Sequence, residues 1–296
     1  DLTLEDMTVD CTNAKFAYNN SICRGSLTVK GRTDLIAASG SNVKIFDVDG
    51  SYKSGACNVS VVFDETYTGT TGGIIEYVAS TGSGSSSLTI KAGTFTGSIT
   101  STGATKPSIT GGTFSDTSAA GYLADGAKVD IVLAANESGT DIIEIPANTE
   151  VELDLNGFTL TNTAAGTKDA RGIVIRNSGK LTINDRSKDK TGAIVSEHDA
   201  AVAVTSNSTT TVEAGRLTGV ESAILTGLAT GAEIYIEGGT FTSTDNAVIL
   251  GNGSEREGEP NTIIIKDGTF NGGITTGGFV ACGIYAPWKD QITVKG

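Results

Sequence analysis

IEGGTFTSTDNAVIL, residues 236–250, sets two glycines and a Thr-Phe pair directly behind an apolar β-branched run. Three close variants stand elsewhere: IKAGTFTG at 90–97, ITGGTFSD at 109–116 and IKDGTFNG at 265–272. In each, an apolar residue precedes an aromatic by five positions: Ile90/Phe95, Ile109/Phe114, Ile236/Phe241 and Ile265/Phe270, with Val212/Leu217 an aliphatic version. Side chains of a strand alternate between its faces. Ile234 and Ile236 of IYIEGGTF then point one way, Tyr235 and Glu237 the other. Five is odd, so Phe241 joins the isoleucines only if the chain slips phase by one residue at Gly238-Gly239. A bend or bulge does that, and glycine tolerates the positive φ involved. The phrase reads as a corner with its aromatic turned inward. A phosphate-binding loop would need a helix to follow, and the pattern predicts none.

The corner recurs. Ile183, Val212, Ile236, Ile265 and Val294 lie 29, 24, 29 and 29 residues apart. GIVIRN, AVAVTSN, SAILTGL, NAVILGNG and CGIYAPW supply a second strand to each repeat. Repeats of this length, made of short strands and variable turns, describe coils of a right-handed, single-stranded parallel β-helix. No coil buries its own apolar face; stacked coils, about 4.8 Å apart, share one core. From second strand to phrase the gaps are Ile175 to Ile183 (8), Val204 to Val212 (8), Leu225 to Ile236 (11), Leu250 to Ile265 (15) and Tyr285 to Val294 (9). The longest carries GNGSEREGEPN. Insertions of this kind map to loops on one side of a solenoid, often the binding side. One coil departs from the rule: RSKDKTG follows LTIND, with Lys188 at the anchor position, so a polar loop is expected to replace the corner there. ITVKG restarts the phrase and runs out before its anchor, so the natural protein is expected to continue.

Composition agrees with an all-β chain. The 296 residues include 39 glycines and only 4 prolines, and Thr, Ser, Val and Ile dominate the runs. The best helical stretch is SAAGYLADGA, Ser118–Ala127. It interrupts the strand rhythm, and Tyr122 and Leu123 are placed to cover an exposed strand edge. A boundary near 125 gives two consecutive solenoid segments, 1–124 and 125–296, the first of which is expected to continue upstream. A net charge of −13 disfavours nucleic acid and anionic membranes, which need basic surface. It suits a soluble secreted or particle-surface protein, and more weakly calcium. Cys11, Cys23, Cys57 and Cys282 form no CxxC pair or zinc spacing. Buried thiols are the expectation, a Cys11–Cys23 disulfide the alternative.

IPANTEVELDLNGFTLTN, LTINDRSKDKTGAIV and the repeated GGTF phrases resemble bacterial extracellular proteins of the pectate-lyase-like β-helix superfamily, known from gut anaerobes and their phages. GGTFSDTSAAGYLADGAKV looks like a phrase that closes such repeat blocks. The resemblance implies a right-handed parallel β-helix at a cell surface, in the medium or on a virion. It implies little about activity, because the superfamily mixes lyases, hydrolases, adhesins and phage spikes.

Enzymes of this fold cluster acids and bases on one exposed sheet. The outward column after the leading strands reads Asn184, Glu213, Glu237, Lys266 and Lys295, a pattern of surface charge pairing. The only histidine stands in Glu197-His198-Asp199, a solvated turn or, less readily, a general base. Asp47 and Asp49, and Asp185 and Asp189, begin calcium-like loops without completing them. No motif calls for a cofactor. Exposed aromatics are the better lead: Tyr235, Tyr285 and Trp288 can stack on sugars or bury in a partner, though Trp288 also suits covering its turn. The expected function is structural and adhesive, with loops presented to a glycan or surface protein; a trimeric phage spike is its main variant. The alternative is a polysaccharide lyase or glycoside hydrolase.

Overall fold

A computed structural model of the chain describes residues 1–12, 21–22, 25–37, 44–49, 58–80, 84–165, 172–273 and 282–295, with backbone alone at 21–22 and 44–49. These residues form two compact units, 1–131 and 132–296. Each is a parallel β-solenoid whose coil has three strands, named here leading, corner and return.

In the first unit the leading sheet is Leu2–Glu5, Gly25–Lys30, Val59–Phe63, Ser86–Ile90 and Ser108–Ile109, in that order. The corner strands are Thr8–Asp10, Asp34–Ile36, Thr70–Thr71, Thr94–Phe95, Thr113–Phe114 and Lys128–Val132; the return strands are Ser21–Ile22, Lys44–Asp49, Ile74–Val78 and Ile99–Thr102. In the second unit the leading sheet is Glu150–Asp154, Lys180–Asn184, Thr209–Val212, Glu233–Ile236, Thr262–Ile265 and Gln291–Val294. Its corner sheet runs from Glu137–Gly139 through Thr159–Asn162, Ala193–Ser196, Arg216–Gly219 and Thr240–Ser243 to Thr269–Asn271. Its return sheet runs from Ile143–Ile145 through Ile175–Asn177, Ala200–Val204, Ser222–Gly227 and Ile249–Gly251 to Ile284–Tyr285.

The corner behaves as its odd spacing predicts. Ile234, Ile236 and Phe241 are fully buried, while Tyr235 and Glu237 lie half-exposed on the outer face. Only the second glycine of the phrase has a positive φ, although a Cβ at Gly238 would also lie 2.9 Å from a backbone oxygen, that of Glu213. Gly239 has φ 112°, and a Cβ there would lie 2.9 Å from the Gly215 carbonyl oxygen. The preceding position, held by Ala92, Gly111, Ala214, Gly238 and Asp267 in the five copies, carries no positive φ among them. At Gly93 (φ 104°) a Cβ would run into the buried ring of Tyr67. Beyond the corners the rings stack from coil to coil: Phe95 on Phe114 with centroids 5.1 Å apart, and Phe241 on Phe270 at 5.0 Å. Such stacking adds to the burial of apolar area that holds a solenoid together.

The departing coil solves the same turn differently. Its inward anchor is Ile194, delayed to the far side of the loop and paired with Leu160 and Leu217 on the neighbouring coils. Asp185, fully buried, holds that loop. Its carboxylate accepts N–H bonds from Gly157 (2.9 Å), Ser187 (3.1 Å) and Gly192 (2.7 Å). Burial pushes the Asp185 carboxyl up, but hydrogen bonding by the Ser187 side chain together with those backbone bonds outweighs it and holds the group below its ordinary value of 3.8.

The stretch Ser118–Ala127 contributes a short 3₁₀ helix, Thr117–Tyr122, capped by the Asp116 carboxylate on Ser118 N–H. Ala119 and Ala120 are its buried residues, and Leu123, just beyond it, pairs with Ile109 on the edge of the last leading strand, where the Ala124 N–H donates to the Ile109 carbonyl at 2.9 Å, as expected of an edge cover. The Ser118 hydroxyl accepts the Ile99 N–H at 2.8 Å, satisfying a donor of the last return strand of the first unit.

The return sheet corrects one alignment. Its pairing sets Arg176, Ala203, Leu225, Leu250 and Tyr285 in one column, and Ile175, Val202, Ile224, Ile249 and Ile284 in the next. The gap counts had matched Ile175 and Val204 with Leu225. AVAV and AIL are apolar at every position, so alternation cannot say which residues face inward.

Candidate functional site

The two exterior columns of the second unit differ in chemistry. On the leading side, Asn184 donates to Glu213 at 2.6 Å and Lys266 to Glu237 at 2.7 Å. This is the charge pairing that the residue order predicts. Further ion pairs join neighbouring coils, among them Lys180–Glu150 at 2.7 Å and Arg186 with Glu152. Tyr235 lies on this face and donates to Glu233 at 3.1 Å; burial and then that carboxylate push its phenol up.

On the return side the outward column begins with the Glu144–Arg176 ion pair and is without charge from Ala203 on. Val202, Ile224 and Ile249 are fully buried and fill the interior. Alternation therefore turns Ala203, Leu225, Leu250 and Tyr285 outward. Ala203 and Leu225 form a hydrophobic cluster with Ile173 and Ala200, and Leu250 packs against it. Leu250 and Tyr285 remain half-exposed, and Leu228 is 60% exposed. Leu225, Leu250 and Tyr285 line a groove of about 450 Å³, with Leu228 and the polar side chains Glu221, Asn246 and Asn252. A second depression shares Leu225 and Leu228 and reaches Arg176.

One wall of the groove, Gly251 to Gly253, belongs to the start of the long insertion. Arg256 shapes that loop from within. Its Nη1 donates to the carbonyls of Asn252 (2.7 Å) and Ser254 (3.2 Å), and Nε reaches the Ala229 carbonyl at 3.3 Å. The guanidinium lies 4.0 Å from the centre of the Trp288 ring, and its Nη2 is 3.9 Å from the buried carboxylate of Asp290. Asp290 in turn accepts the Asn261 N–H at 3.2 Å. An arginine over an indole is favourable, more so when both are shielded from water.

The three aromatics singled out from sequence are thus separated. Tyr285 lines the groove, Trp288 lies beneath Arg256 at 8% exposure, and Tyr235 belongs to another sheet. Glu197 and His198 are exposed at a turn, and Asp199 is buried with its carboxylate on the Ala200 N–H at 2.8 Å. Asp185 is occupied by backbone donors and Asp189 is exposed. The side chains of Asp47 and Asp49 lie outside the described residues, as do Cys23 and Cys57 and with them the Cys11–Cys23 question. Among the described residues no group of three or more His, Cys, Asp or Glu is placed to hold a metal ion. Alternation found Tyr285, but Leu225, Leu250, Asn246 and Asn252 were missed. Their only signal was the unequal turn lengths, which mark a side of the solenoid but not its residues. No protein-family model, no curated protein and no solved structure matches the chain.

Proposed function

We propose that the chain is part of an extracellular binding solenoid of the pectate-lyase-like kind, on a bacterial surface or a phage particle, and that it holds a glycan on the return face of the second unit. The observation that carries this is the outward column Leu225, Leu250 and Tyr285, bordered by two amides and a carboxylate. Leu225 is 8% exposed and belongs to a buried cluster, whereas Leu250 and Tyr285 stay half-exposed, and water disfavours such apolar surface unless something covers it. A shallow apolar floor with a few polar groups fits a ligand site, and the groove volume lies within the usual range. Tyr285 is the contact we assign; Trp288 serves through the wall that Arg256 organises.

The rival reading, a lyase or hydrolase, draws on the Glu221 carboxylate in the same groove. The test separates them. The protein is run through gels containing acidic and neutral polysaccharides, and the same mixtures are assayed for new reducing ends and unsaturated products. Retardation without product release supports a binding protein. Release makes it an enzyme, and no retardation by any polysaccharide removes the glycan reading.

A further inference from the structure

We propose that the return-face groove selects an uncharged saccharide segment and rejects polyuronate and sulfated chains. This rests on the glycan reading above and adds the ligand class.

Charge carries the argument. Among the described residues no Lys, Arg or His lines the groove, and the one carboxylate there is Glu221. Among the described residues, Arg176 lines the adjoining depression and is engaged by Glu144 at 2.6 Å. Arg256 stands behind the wall with its side chain only 10% exposed, committed to Trp288, Asp290 and backbone carbonyls. The whole chain carries −13. A carboxylate or sulfate brought into this groove would lose water and meet no compensating cation, in a field of its own sign.

An uncharged sugar meets matching chemistry. Its C–H face can lie on the half-exposed Leu250 and Tyr285, with Leu225, 8% exposed, at the inner edge of the groove, while its hydroxyls reach the amides of Asn246 and Asn252, which both donate and accept. Those three column residues sit on successive coils, so they span about 10 Å, the length of a disaccharide unit along the stack. A protein partner is less well matched, since a stable interface buries roughly 800 Å² on each side and this groove is narrow and bordered by short polar side chains.

The test titrates the full chain with cellohexaose, chitohexaose and hexagalacturonic acid at low and high salt. At least one neutral hexasaccharide is expected to bind, at least tenfold more tightly than hexagalacturonic acid and with little salt dependence. Tyr285→Ala should weaken that binding at least tenfold. Asn252→Lys, on the exposed wall, should raise affinity for hexagalacturonic acid, and it keeps the test decisive if the tyrosine variant folds poorly. Equal or tighter binding of hexagalacturonic acid that is lost in Tyr285→Ala overturns this inference and leaves the glycan groove standing. Binding of no saccharide overturns the glycan reading itself. Neutral binding indifferent to both substitutions places the ligand elsewhere and overturns the groove assignment.

Discussion

The leading and return faces of the second unit obey the same rule inside and opposite rules outside. Inward, both offer fully buried aliphatics: Ile234, Ile236 and Ile263 on one, Val202, Ile224 and Ile249 on the other. Outward, the leading face ends in Glu213, Glu237 and Lys266, tied to neighbours by hydrogen bonds and an ion pair. The return face, after a Glu144–Arg176 pair at its start, carries Ala203, Leu225, Leu250 and Tyr285. The interior columns are demanded by stacking, because each coil depends on its neighbours for a core. The exterior columns are free of that demand, so their difference points to what each face meets. Paired charges suit water. A run of leucines and a tyrosine beside a groove suits a ligand.

Five substitutions can break or sharpen this contrast. Phe241→Ala, in the interior, should cost about 3–5 kcal/mol, read as a large fall in thermal unfolding temperature. A loss no greater than that of an exterior substitution would mean that the stacked rings do not hold the coils. Asp185→Asn should cost about 1–3 kcal/mol at neutral pH, because at least one buried N–H loses its acceptor. The pH dependence has a definite sign. The folded carboxyl titrates below its ordinary value of 3.8, so its stabilisation is complete above that value and is lost as the pH falls through the lower folded one. The wild-type advantage over Asp185→Asn should therefore shrink in strong acid, and an advantage that persists unchanged there would rule out the carboxylate as its source.

The matched pair Tyr285→Ala and Tyr235→Ala tests the faces directly. The first should lower affinity for a neutral hexasaccharide about tenfold, about 1.4 kcal/mol, and the second should leave it unchanged in calorimetric titration. Equal losses would erase the distinction between the faces. The smallest effect belongs to Glu237→Gln. Its ion pair with Lys266 leaves both side chains partly exposed, at 34% and 51%, and such pairs contribute about 0–1 kcal/mol. A melting shift comparable to that of Asp185→Asn would show the charge column to be structural rather than solvating.

The corner was legible because its causes are local. Period-two alternation, an odd spacing and one residue with positive φ at Gly239 suffice to turn Phe241 inward. The Asp185 loop was legible only as a departure, since Lys188 marks where the anchor fails but nothing nearby names Ile194 as its replacement. The groove was hardest to see. Tyr285 has polar-apolar contrast with Ile284 and reads as outward; Ala203 and Leu225 lie in runs apolar at every position and give no such contrast.

By itself, the sequence determined the strand type, the inward set of each corner and the paired-charge column, because these follow from residues within one or two turns of each other. Only the tertiary structure decided which exterior residues become neighbours. Coil-to-coil register depends on turns of different lengths and on the shift between Leu225 and Gly227, and a displacement of one residue moves a side chain to the other face. That register brought Leu225, Leu250 and Tyr285 into one column, and it set Arg256 against Trp288, 32 residues on, behind the groove wall.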